Sequence, residues 1–447
     1  MSLALRVLHV ASEVYPFSRT GGLADVLDAL PRALSSQGAR VTVLSPWYRD
    51  IEPAPRLLMT HGEVHIGEIE EDGVRFLFLG LPEFNRAGMY GEDDVWRFVR
   101  FCRAALPALD ALGASFDVLH AHDWAAALLC LLARERGLPS VFTVHNLQYQ
   151  GRWNGGAFDW TGLPREYFTP ERLEYHGDLN LMKAGLLYSD LVTTVSPTYA
   201  REITTPDMGE GLDGVLRERF ARGELVGILN GLDEERWDPR TDDQIAKSFK
   251  TYKGKGANGK ALRKELGFDD RPILAAVTRL VEQKGIDLLL EVMPDVTRDW
   301  NVVVLGSGDP RLEAALSEWD GEGVRFVRGM NEPFAHRIYA GSDAFVMPSR
   351  FEPCGLSQMI ALRYGTPPIV RDTGGLRDSV PKDVGFRFQK ASATALLRAL
   401  RSARKCFDES GEWKSRAEAG MKLDFSWTKA AGLYGRLYER MLANHAR

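Results

Sequence analysis

The sequence predicts an α/β protein with two doubly wound domains. Short runs rich in Val and Leu alternate with helical patterns along most of the chain, which is typical of βαβ units with buried parallel strands. This alternation is interrupted once and then starts again. Because 447 residues are too many for one compact core, more than one domain is expected. We predict a first domain over residues 1–240, a second over 241–424 and a closing segment over 425–447.

Five apolar runs predict the parallel strands of the first domain, and they read LRVLHVAS, ARVTVLSP, DVLHAHD, PSVFTVHN and DLVTTVS. The stretch between the first two, ADVLDALPRALSSQG, has the periodicity of a helix and ends on Gly38. Glycine is common just after the last turn of a helix. Strands separated by such helices predict a parallel sheet with crossover connections.

The interruption is the basic stretch KSFKTYKGKGANGK, residues 247–260, which predicts a linker with a surface loop. Five further strands follow it, and they read PILAAVTRL, NVVVLGSG, VRFVRG, DAFVMPS and PPIVRD. The last segment, FSWTKAAGLYGRLYERML, has apolar residues at Leu433, Leu437 and Met441 and predicts an amphipathic helix. In the simplest interpretation this helix closes the second domain.

Composition excludes several classes of protein. The net charge is only -5, with both signs interspersed, so neither a nucleic acid nor a membrane is an expected partner. No apolar run reaches the ~18 residues of a membrane-spanning helix. Charge at Arg6 and Glu13 favours a first strand over a signal peptide. Four scattered cysteines without CxxC spacing favour a cytoplasmic protein with reduced thiols.

Polar residues at strand ends are the candidates for chemistry, since open α/β sheets bind ligands there. After the first strand, Thr20, Gly21 and Gly22 open a helix beside Arg19. Paired glycines let a backbone approach a ligand, and the N–H groups at a helix start attract anions. The alternative is a tight turn that only packing requires.

Histidines end two further strands. His120 and His122 share one face, but no carboxylate or cysteine completes a known metal-binding spacing, so we predict no metal. His145 and Asn146 end an apolar strand, so their polar ends are expected in a ligand-binding crevice. The alternative is a core histidine with satisfied hydrogen bonds.

Two cations follow the first strand of the second domain. Arg279 and Lys284 precede a helix, where the helix dipole opposes positive charge unless an anion lies between them. The alternative is a pair of solvated charges. Further on, LGSGDP has Gly306 and Gly308 but lacks the third glycine of a dinucleotide-binding fingerprint. This argues against a nicotinamide-dependent oxidoreductase and leaves a phosphate or nucleoside loop.

The stretch SRFEPCGLSQ places a carboxylate and a thiol before a buried helix. Pro353 is compatible with a helix start, so Glu352 and the N–H groups near Gly355 are expected to face the crevice. A carboxylate there could hold sugar hydroxyls, and the later TGGL could meet a phosphate. Cys354 could be a nucleophile, but without a visible base it is better explained as a residue that lines the pocket.

These motifs together resemble bacterial glycogen synthase and plant starch synthase over essentially the whole chain. The resemblance is carried, in the same order, by SRTGGLADVLDALP, HAHDW, TVHNLQYQG, NGLD, VTRLVEQKG, LGSGDP and PSRFEPCGLSQMIALRYGTPPIVRDTGGL. It implies two Rossmann-like domains facing each other across a cleft, the GT-B arrangement, with the last helix returning to the first domain. It also implies retaining transfer of glucose from ADP-glucose to the non-reducing end of an α-1,4-glucan, without a metal or cofactor.

The resemblance also implies residue roles. Arg279 and Lys284 would neutralise the diphosphate, Glu352 would hold glucose hydroxyls and His145 would lie beside the glucosyl group. The other positions implied to bind substrate are Arg19, Gly21, Gly22, Asp25, Asp123, Asn146, Asn230, Gly306, Cys354, Gly355, Leu356, Thr373 and Gly374. The family usually has lysine in place of Arg19, which leaves the preference between ADP-glucose and UDP-glucose open. A catalytically silent binding protein is disfavoured by the intact cations and Glu352.

Overall fold

The structure, a computed structural model, describes residues 5–86 and 88–445. The chain separates into two compact units, Met1–Gly231 with Trp427–Arg447, and Leu232–Ser426. The division after Gly231 lies upstream of residue 240 because the intervening segment packs on the second unit. There the ring of Trp237 stacks on His336 at 4.0 Å, and Asp242 accepts a hydrogen bond of 2.8 Å from the same imidazole.

The first unit contains twelve described strands and seven described helices. The strands are β1 Arg6–Val10, β2 Arg40–Pro46, β3 Arg56–His61, β4 Val64–Glu71, β5 Val74–Gly80, β6 Val118–His122, β7 Ser140–Val144, β8 Arg152–Asn154, β9 Glu174–Tyr175, β10 Asp178–Asn180, β11 Leu191–Thr194 and β12 Leu225–Gly227. The first six helices are α1 Gly22–Ser36, α2 Asp94–Ala111, α3 Asp123–Glu135, α4 Met182–Tyr188, α5 Pro197–Glu202 and α6 Asp213–Ala221.

Nine of these strands form one sheet in the order β12-β11-β7-β6-β1-β2-β5-β4-β3. β1 is parallel to β2 on one side and to β6 on the other, with Val7 opposite Val41 and Leu8 opposite Leu119. The chain therefore changes direction across the sheet between β1 and β6. Ligands of open α/β sheets bind beside such a switch point, next to the loops that follow these two strands.

The second unit contains six described strands and eight described helices. They are β13 Ile273–Val277, β14 Asn301–Gly306, β15 Val324–Arg328, β16 Ala344–Met347, β17 Pro368–Arg371, β18 Phe386–Phe388, α7 Gly256–Leu266, α8 Ile286–Asp299, α9 Pro310–Trp319, α10 Glu332–Gly341, α11 Ser357–Arg363, α12 Gly374–Ser379, α13 Ala393–Asp408 and α14 Ser410–Gly420. All strand pairs are parallel, in the order β15-β14-β13-β16-β17-β18. This is the strand order of the Rossmann fold, with its switch point between β13 and β16.

The last helix, α15 Trp427–His445, belongs to the first unit. Tyr434, Leu437 and Tyr438 of this helix are buried, and the Tyr438 hydroxyl lies 2.7 Å from Nδ1 of His120 in β6. Leu433, by contrast, is 40% exposed. Gly231 packs so tightly on Trp427 that a Cβ would lie 2.6 Å from its ring. The end of the chain is thereby tied into the first unit.

The predicted surface loop at residues 247–260 is wrong. Most of it forms a 3-10 turn, Tyr252–Lys255, and the first residues of α7. Lys255 is buried, and its ammonium donates to the carbonyls of Tyr339, Ala340 and Tyr364 and to the Thr366 hydroxyl at 2.7–3.0 Å. The basic composition of the stretch predicts an exposed loop. The ammonium of Lys255 can nevertheless be buried because oxygen acceptors satisfy its hydrogen bonds.

Two other features were not predicted. The β3–β4–β5 meander widens the first sheet with antiparallel strands, and β8, β9 and β10 form a separate three-stranded sheet. These strands are short or carry many exposed polar residues, so they lack the continuous apolar runs of buried parallel strands. Among the described helices, none has both the length and the apolar character needed to cross a lipid bilayer.

Candidate functional site

In the first unit, the loop after β1 is organised by Glu13, a residue that sequence reasoning missed. The backbone N–H of Thr20 donates to Glu13 Oε2 at 2.5 Å, and the Thr20 hydroxyl donates to the same oxygen at 3.0 Å. Burial raises the pKa of Glu13, whereas the bonds from Thr20 act in the opposite direction. A buried carboxylate therefore holds the turn that precedes α1.

Gly21 and Gly22 follow this turn, and neither has a positive φ. A Cβ added at either position would meet no described atom within 4 Å. Neither backbone conformation nor packing in the described structure therefore requires glycine at these positions. A tight turn that only packing requires is therefore a poorer explanation of the two glycines, and the space beside them is open to a ligand. Beside them, Arg19 forms a 3.1 Å ion pair with Asp25 in the first turn of α1.

The loop after β7 is fixed by Asp123, the first residue of α3. Its Oδ1 accepts a 2.7 Å hydrogen bond from the backbone N–H of His145. Asp123 has a φ of 56, in the left-handed region, which costs free energy for any residue with a Cβ. Desolvation raises its pKa to about 7, and the negative charge of Glu13 adds to this increase. The structure therefore joins the predicted Asp123 and His145, and Asn146 uses its Oδ1 to accept from Gln148 N–H at 3.1 Å.

A row of three imidazoles runs through the first sheet and ends at His145. Nδ1 of His9 lies 3.0 Å from Nε2 of His122, and Nδ1 of His122 lies 2.9 Å from Nε2 of His145. Burial lowers the pKa of His9 and His145 to about 3 and that of His122 well below its usual value. The rings are therefore neutral at pH 7. His9, in β1, had no sequence signal because it stands inside an apolar strand.

Neutral rings in a row must all donate in the same direction. His9 Nε2 is buried and has no partner among the described residues. An unpaired buried N–H is rarer than an unpaired acceptor. We therefore assign the proton of His9 to Nδ1 and leave Nε2 unprotonated. His9 then donates to His122, His122 donates to His145, and His145 carries its proton on Nδ1.

His9, His120 and His122 also place one ring nitrogen each within 4.8 Å of one another. Both nitrogens of His120 are already engaged, with the Tyr438 hydroxyl at 2.7 Å and the Thr143 hydroxyl at 2.6 Å. No carboxylate belongs to this cluster. A divalent ion would have to displace these hydrogen bonds and enter a buried site without a counter-charge. Hydrogen bonding explains the cluster better than metal ligation.

In the second unit, the predicted Lys284 and Glu352 meet. Lys284 Nζ lies 2.6 Å from Glu352 Oε2, and their side chains are only 14% and 6% exposed. The Ser349 hydroxyl donates to the same oxygen at 3.1 Å. Oε1 accepts no hydrogen bond from a described residue and is therefore available to a ligand hydroxyl. The charge of Lys284 is partly balanced before any anion binds.

Arg350 positions this pair and was also missed. Its guanidinium donates to both oxygens of Asp287 at 2.8 and 2.6 Å, and its N–H donates to the Gln283 carbonyl at 2.7 Å. Gln283 returns a 3.2 Å bond to the Phe351 carbonyl. The loop after β13 is thus bound to the loop after β16, on both sides of the switch point. Arg350 follows the motif serine and could have been suspected from its position alone.

The EPCGL and TGGL segments also come together. The Gly375 N–H donates to the Glu352 carbonyl at 2.9 Å, and a Cβ at Gly375 would lie 2.1 Å from the Cys354 carbonyl. Thr373 is the N-cap residue of α12, which begins at Gly374. α11 begins at Ser357, later than Pro353 predicted, because Gly355 adopts a left-handed φ of 77 and delays the helix. Leu356 is the N-cap residue of α11.

The remaining predicted residues stand apart from this network. Arg279 is exposed and makes no side-chain hydrogen bond or ion pair with a described residue. Gly306 is required for packing, since a Cβ would lie 1.9 Å from the Thr278 carbonyl. Asn230 is buried in the first unit, and its Oδ1 has no partner among the described residues. The Cys354 thiol is buried and donates to the Gly355 carbonyl at 3.4 Å.

Two units with largely parallel sheets and polar loops at both switch points are typical of the GT-B class of glycosyltransferases, and comparison with known proteins assigns the chain to this class. Residues 6–218 match the family model described as starch synthase catalytic domain, and residues 259–419 match glycosyl transferases group 1. The chain belongs to the family of glycogen and starch synthases.

Two curated relatives and one solved structure support this assignment. A glycogen synthase of Deinococcus radiodurans is 59% identical over 97% of this chain and 99% of its own length. One from Deinococcus deserti is 57% identical over 98% of this chain and 100% of its own. The catalytic domain of starch synthase IV from Arabidopsis thaliana, bound to ADP and acarbose, is 35% identical with a TM-score of 0.88 and covers 98% of this chain and 100% of its own.

Proposed function

We propose that this protein is a glycogen synthase that transfers glucose from ADP-glucose to the non-reducing end of an α-1,4-glucan, with retention at the anomeric carbon. Family membership supports the reaction class, and the related starch synthase IV was solved with ADP and acarbose. The donor nucleotide and the acceptor are therefore part of the proposal. None of the described cysteines forms a disulfide bond, which suits the cytoplasm, where we place the reaction.

The observation that carries the proposal is the cationic switch point of the second unit. Arg279 follows β13 without a described partner, and Lys284 is held against Glu352 by the Arg350 network. Departure of a nucleoside diphosphate from a sugar develops negative charge on phosphate oxygens. Fixed cations stabilise that charge without having to reorganise during the reaction. Because Arg279 is free and Lys284 is already positioned, these side chains can serve as such a pair.

The proposed sugar contacts use polar atoms that form no hydrogen bond with a described residue. The free Oε1 of Glu352 can accept from glucose hydroxyls, while its Oε2 stays bonded to Lys284 and Ser349. In the first unit, the Nδ1–H assigned to His145 makes no bond with a described residue, so it can donate to a sugar oxygen. A neutral imidazole suits this role because it adds no positive charge beside an oxocarbenium-like centre.

Retention requires either a carboxylate nucleophile or attack from the face that the leaving group vacates. Glu352 is committed to Lys284 through Oε2, and Cys354 is a buried thiol hydrogen-bonded to a carbonyl. We therefore favour same-face attack, in which a leaving phosphate oxygen takes the proton of the acceptor hydroxyl. No covalent glycosyl-enzyme is expected, and Cys354→Ser should retain measurable activity.

Release of ADP from ADP-glucose in the presence of glycogen tests the proposal. The expected result is ADP formation that depends on glycogen, with the glucose incorporated as α-1,4-linked residues that β-amylase removes. UDP-glucose run in parallel establishes the donor preference. Binding of ADP-glucose without turnover would instead identify a silent binding protein, and hydride transfer to NAD would identify an oxidoreductase.

A further inference from the structure

The second unit contains a positively charged cavity that the proposed reaction does not use, and we call it the basic cavity. It encloses about 330 Å³, near the lower end of the ~300–1,000 Å³ of small-molecule sites. The residues that line it are Asp238, Pro239, Arg240, Lys250, Thr251, Arg363, Glu418, Met421 and Lys422. Four of these side chains are cationic and two are anionic. None of them is assigned above to glucosyl transfer.

Three segments of the chain form the basic cavity, namely residues 238–251, the end of α11 and the end of α14. The ammonium of Lys255, just after the first segment, donates to the carbonyl of Tyr364, just after α11, at 3.0 Å. The end of α11 also packs on the end of α14, because a Cβ at Gly365 would lie 3.0 Å from Sδ of Met421. Packing and hydrogen bonds therefore fix the walls of the cavity.

Arg363, in the last turn of α11, forms no hydrogen bond with a described residue although its side chain is only 17% exposed. Its ion pairs with Glu234 and Asp238 are long, at 3.7 and 3.5 Å. Asp238 already accepts from Nε of Arg240 at 2.8 Å. A guanidinium carries five N–H donors, so a largely buried one favours a further acceptor. Phosphate suits it best, because the planar fork can donate to two phosphate oxygens at once.

Two lysines add positive charge to the cavity. Lys250 and Lys422 are exposed, and neither side chain forms a hydrogen bond or ion pair with a described residue. Positive charge near the ends of α11 and α14 offsets the helix dipoles, which explains Arg363 and Lys422 in part. It explains neither Lys250 nor the guanidinium without hydrogen bonds. Cations around one cavity repel one another, and a bound anion removes that repulsion.

The rest of the lining suits a sugar. The hydroxyl of Thr251 forms no hydrogen bond with a described residue. Glu418 has only a 3.8 Å ion pair with Lys414, so its oxygens can accept from sugar hydroxyls. Pro239 and Met421 supply small apolar surfaces for the C–H groups of a pyranose ring. The small volume favours a phosphorylated monosaccharide over a nucleotide sugar.

We propose that the basic cavity binds a phosphorylated monosaccharide. The phosphate contacts Arg363, Lys250 and Lys422. The sugar hydroxyls contact Thr251 and Glu418. The ligand is not a substrate, because these residues lie outside the set assigned to glucosyl transfer, and the site does not depend on the proposed function. By joining three segments, the ligand stabilises the folded second unit, since it binds the folded chain and not the unfolded one.

Calorimetric titration of the wild-type protein tests the class of ligand. The probes are glucose 1-phosphate, glucose 6-phosphate and fructose 6-phosphate, with inorganic phosphate and glucose for comparison. At least one sugar phosphate should bind about tenfold more tightly than either inorganic phosphate or glucose. Equal affinity for inorganic phosphate would overturn recognition of the sugar. Absence of binding by all three sugar phosphates would overturn the whole proposal.

A second titration tests the position of the site. The double variant Lys250→Ala/Lys422→Ala should raise the Kd of the best sugar phosphate at least about tenfold, because two charged contacts are lost. Lys390→Ala/Lys405→Ala is the matched control, since it removes the same charge from exposed positions of the same unit outside the cavity. Arg363→Lys keeps the charge but loses the planar fork and should also weaken binding. An unchanged Kd in Lys250→Ala/Lys422→Ala would overturn the proposal.

The third test separates the basic cavity from the donor site. The best sugar phosphate should raise the Tm of the wild-type protein but not that of the lysine double variant. Without the sugar phosphate, this variant should keep the kcat and KM of the wild-type protein. Excess ADP-glucose should leave the Kd of the sugar phosphate unchanged, and competition between the two would overturn the proposal. Failure of the proposed function is recognised separately, as absence of ADP release by a protein that still binds the sugar phosphate.

Discussion

Lys284 and Glu352 form an ion pair of 2.6 Å whose two side chains are largely buried. The pair joins the loop after β13 to the loop after β16, and it is supported by the ion pair between Arg350, in the second loop, and Asp287, in the first turn of α8. A charge held in this way can act on a ligand without first losing side-chain entropy. Neither partner can be removed without leaving the other largely buried and without its counter-charge, so replacement of either residue should also lower stability.

Separate replacement of Lys284 and Arg279 should distinguish an effect on turnover from an effect on stability. Lys284→Ala and Arg279→Ala should each lower kcat by ~10²–10³, as expected for lost preorganised groups. Lys284→Ala should also lower the free energy of unfolding by about 3 kcal/mol, because Glu352 would remain buried and unpaired. Arg279→Ala should change it by less than ~0.5 kcal/mol, since Arg279 is exposed. Steady-state ADP release and urea denaturation measure both effects, and near-normal turnover of either variant would contradict the leaving-group role.

Arg19 should act on donor binding rather than on the chemical step. Arg19→Ala should raise the KM for ADP-glucose with little change in kcat, because the side chain pairs with Asp25 beside the glycine turn. Arg49→Ala is a suitable control, since Arg49 forms a similar surface pair with Asp50. Arg19→Lys, assayed with ADP-glucose and UDP-glucose, tests whether the guanidinium sets the donor preference. A fall in kcat at constant KM would reject this role.

Glu13 should be required for the shape of the glycine turn. Glu13→Gln replaces the charge-assisted bond from Thr20 N–H with a neutral one, a loss of about 1.5 kcal/mol or roughly tenfold in affinity. The expected result is a higher Kd for ADP-glucose in calorimetry, with a much smaller change for glycogen. Glu70→Gln, at an exposed position in the same unit, should leave both constants at wild-type values. Equal weakening for the two ligands would show that Glu13 does not act through this turn.

His122 should set the tautomer of His145. In His122→Phe the ring stays packed but no longer donates, so His145 should populate both tautomers and kcat should fall about tenfold, less than for loss of a full acid–base group. Nitrogen-15 spectra of histidine-labelled protein report the tautomer directly. His61→Gln, at an exposed position, controls for labelling and assay. An unchanged His145 spectrum in the variant would remove His122 from this role.

The buried histidines should make stability depend on pH. The pKa of His9 is about 3 in the folded protein and ~6.5 when unfolded, so the unfolded state binds more protons between these values. The free energy of unfolding should therefore fall as the pH falls from 6.5 towards 3, by up to ~1.4 kcal/mol per pH unit for each such histidine. Asp123 has the opposite effect on stability. Its pKa is raised to about 7 in the folded protein, so its contribution to the free energy of unfolding increases as the pH falls below 7.

A difference measurement isolates the contribution of His9. His9→Phe removes one of the groups that must become protonated on unfolding, so its unfolding free energy should decline less steeply than that of the wild-type protein below pH 6.5. Denaturant titrations at several pH values between 7.5 and 4.5 measure both slopes. Parallel slopes would mean that His9 is not a neutral buried group.

Much of the fold could be predicted because buried parallel strands carry a strong local signal. The mainly apolar runs at β1, β2, β6, β7 and β11 allow few alternatives, and the same holds for β13, β14, β16 and β17. The signal is weaker at β15, which reads VRFVR. The polar residues at the ends of these strands could likewise be identified as candidates, since an open sheet gathers its strand ends at one edge. Lys284 and Glu352, 68 positions apart, follow two such strands and make contact in the structure.

Tertiary structure alone decided what these groups contact. His9 begins an imidazole row because it meets His122, a residue 113 positions away in the sequence. Glu13 holds its turn through Thr20, only seven positions on, but its burial depends on the packed chain. Lys255, in a stretch that resembled a surface loop, is buried because four oxygen acceptors from other segments surround its ammonium. The sequence determines which stretches are apolar and where polar groups interrupt them. Burial and partnership are properties of the packed chain, since each depends on side chains contributed by other segments.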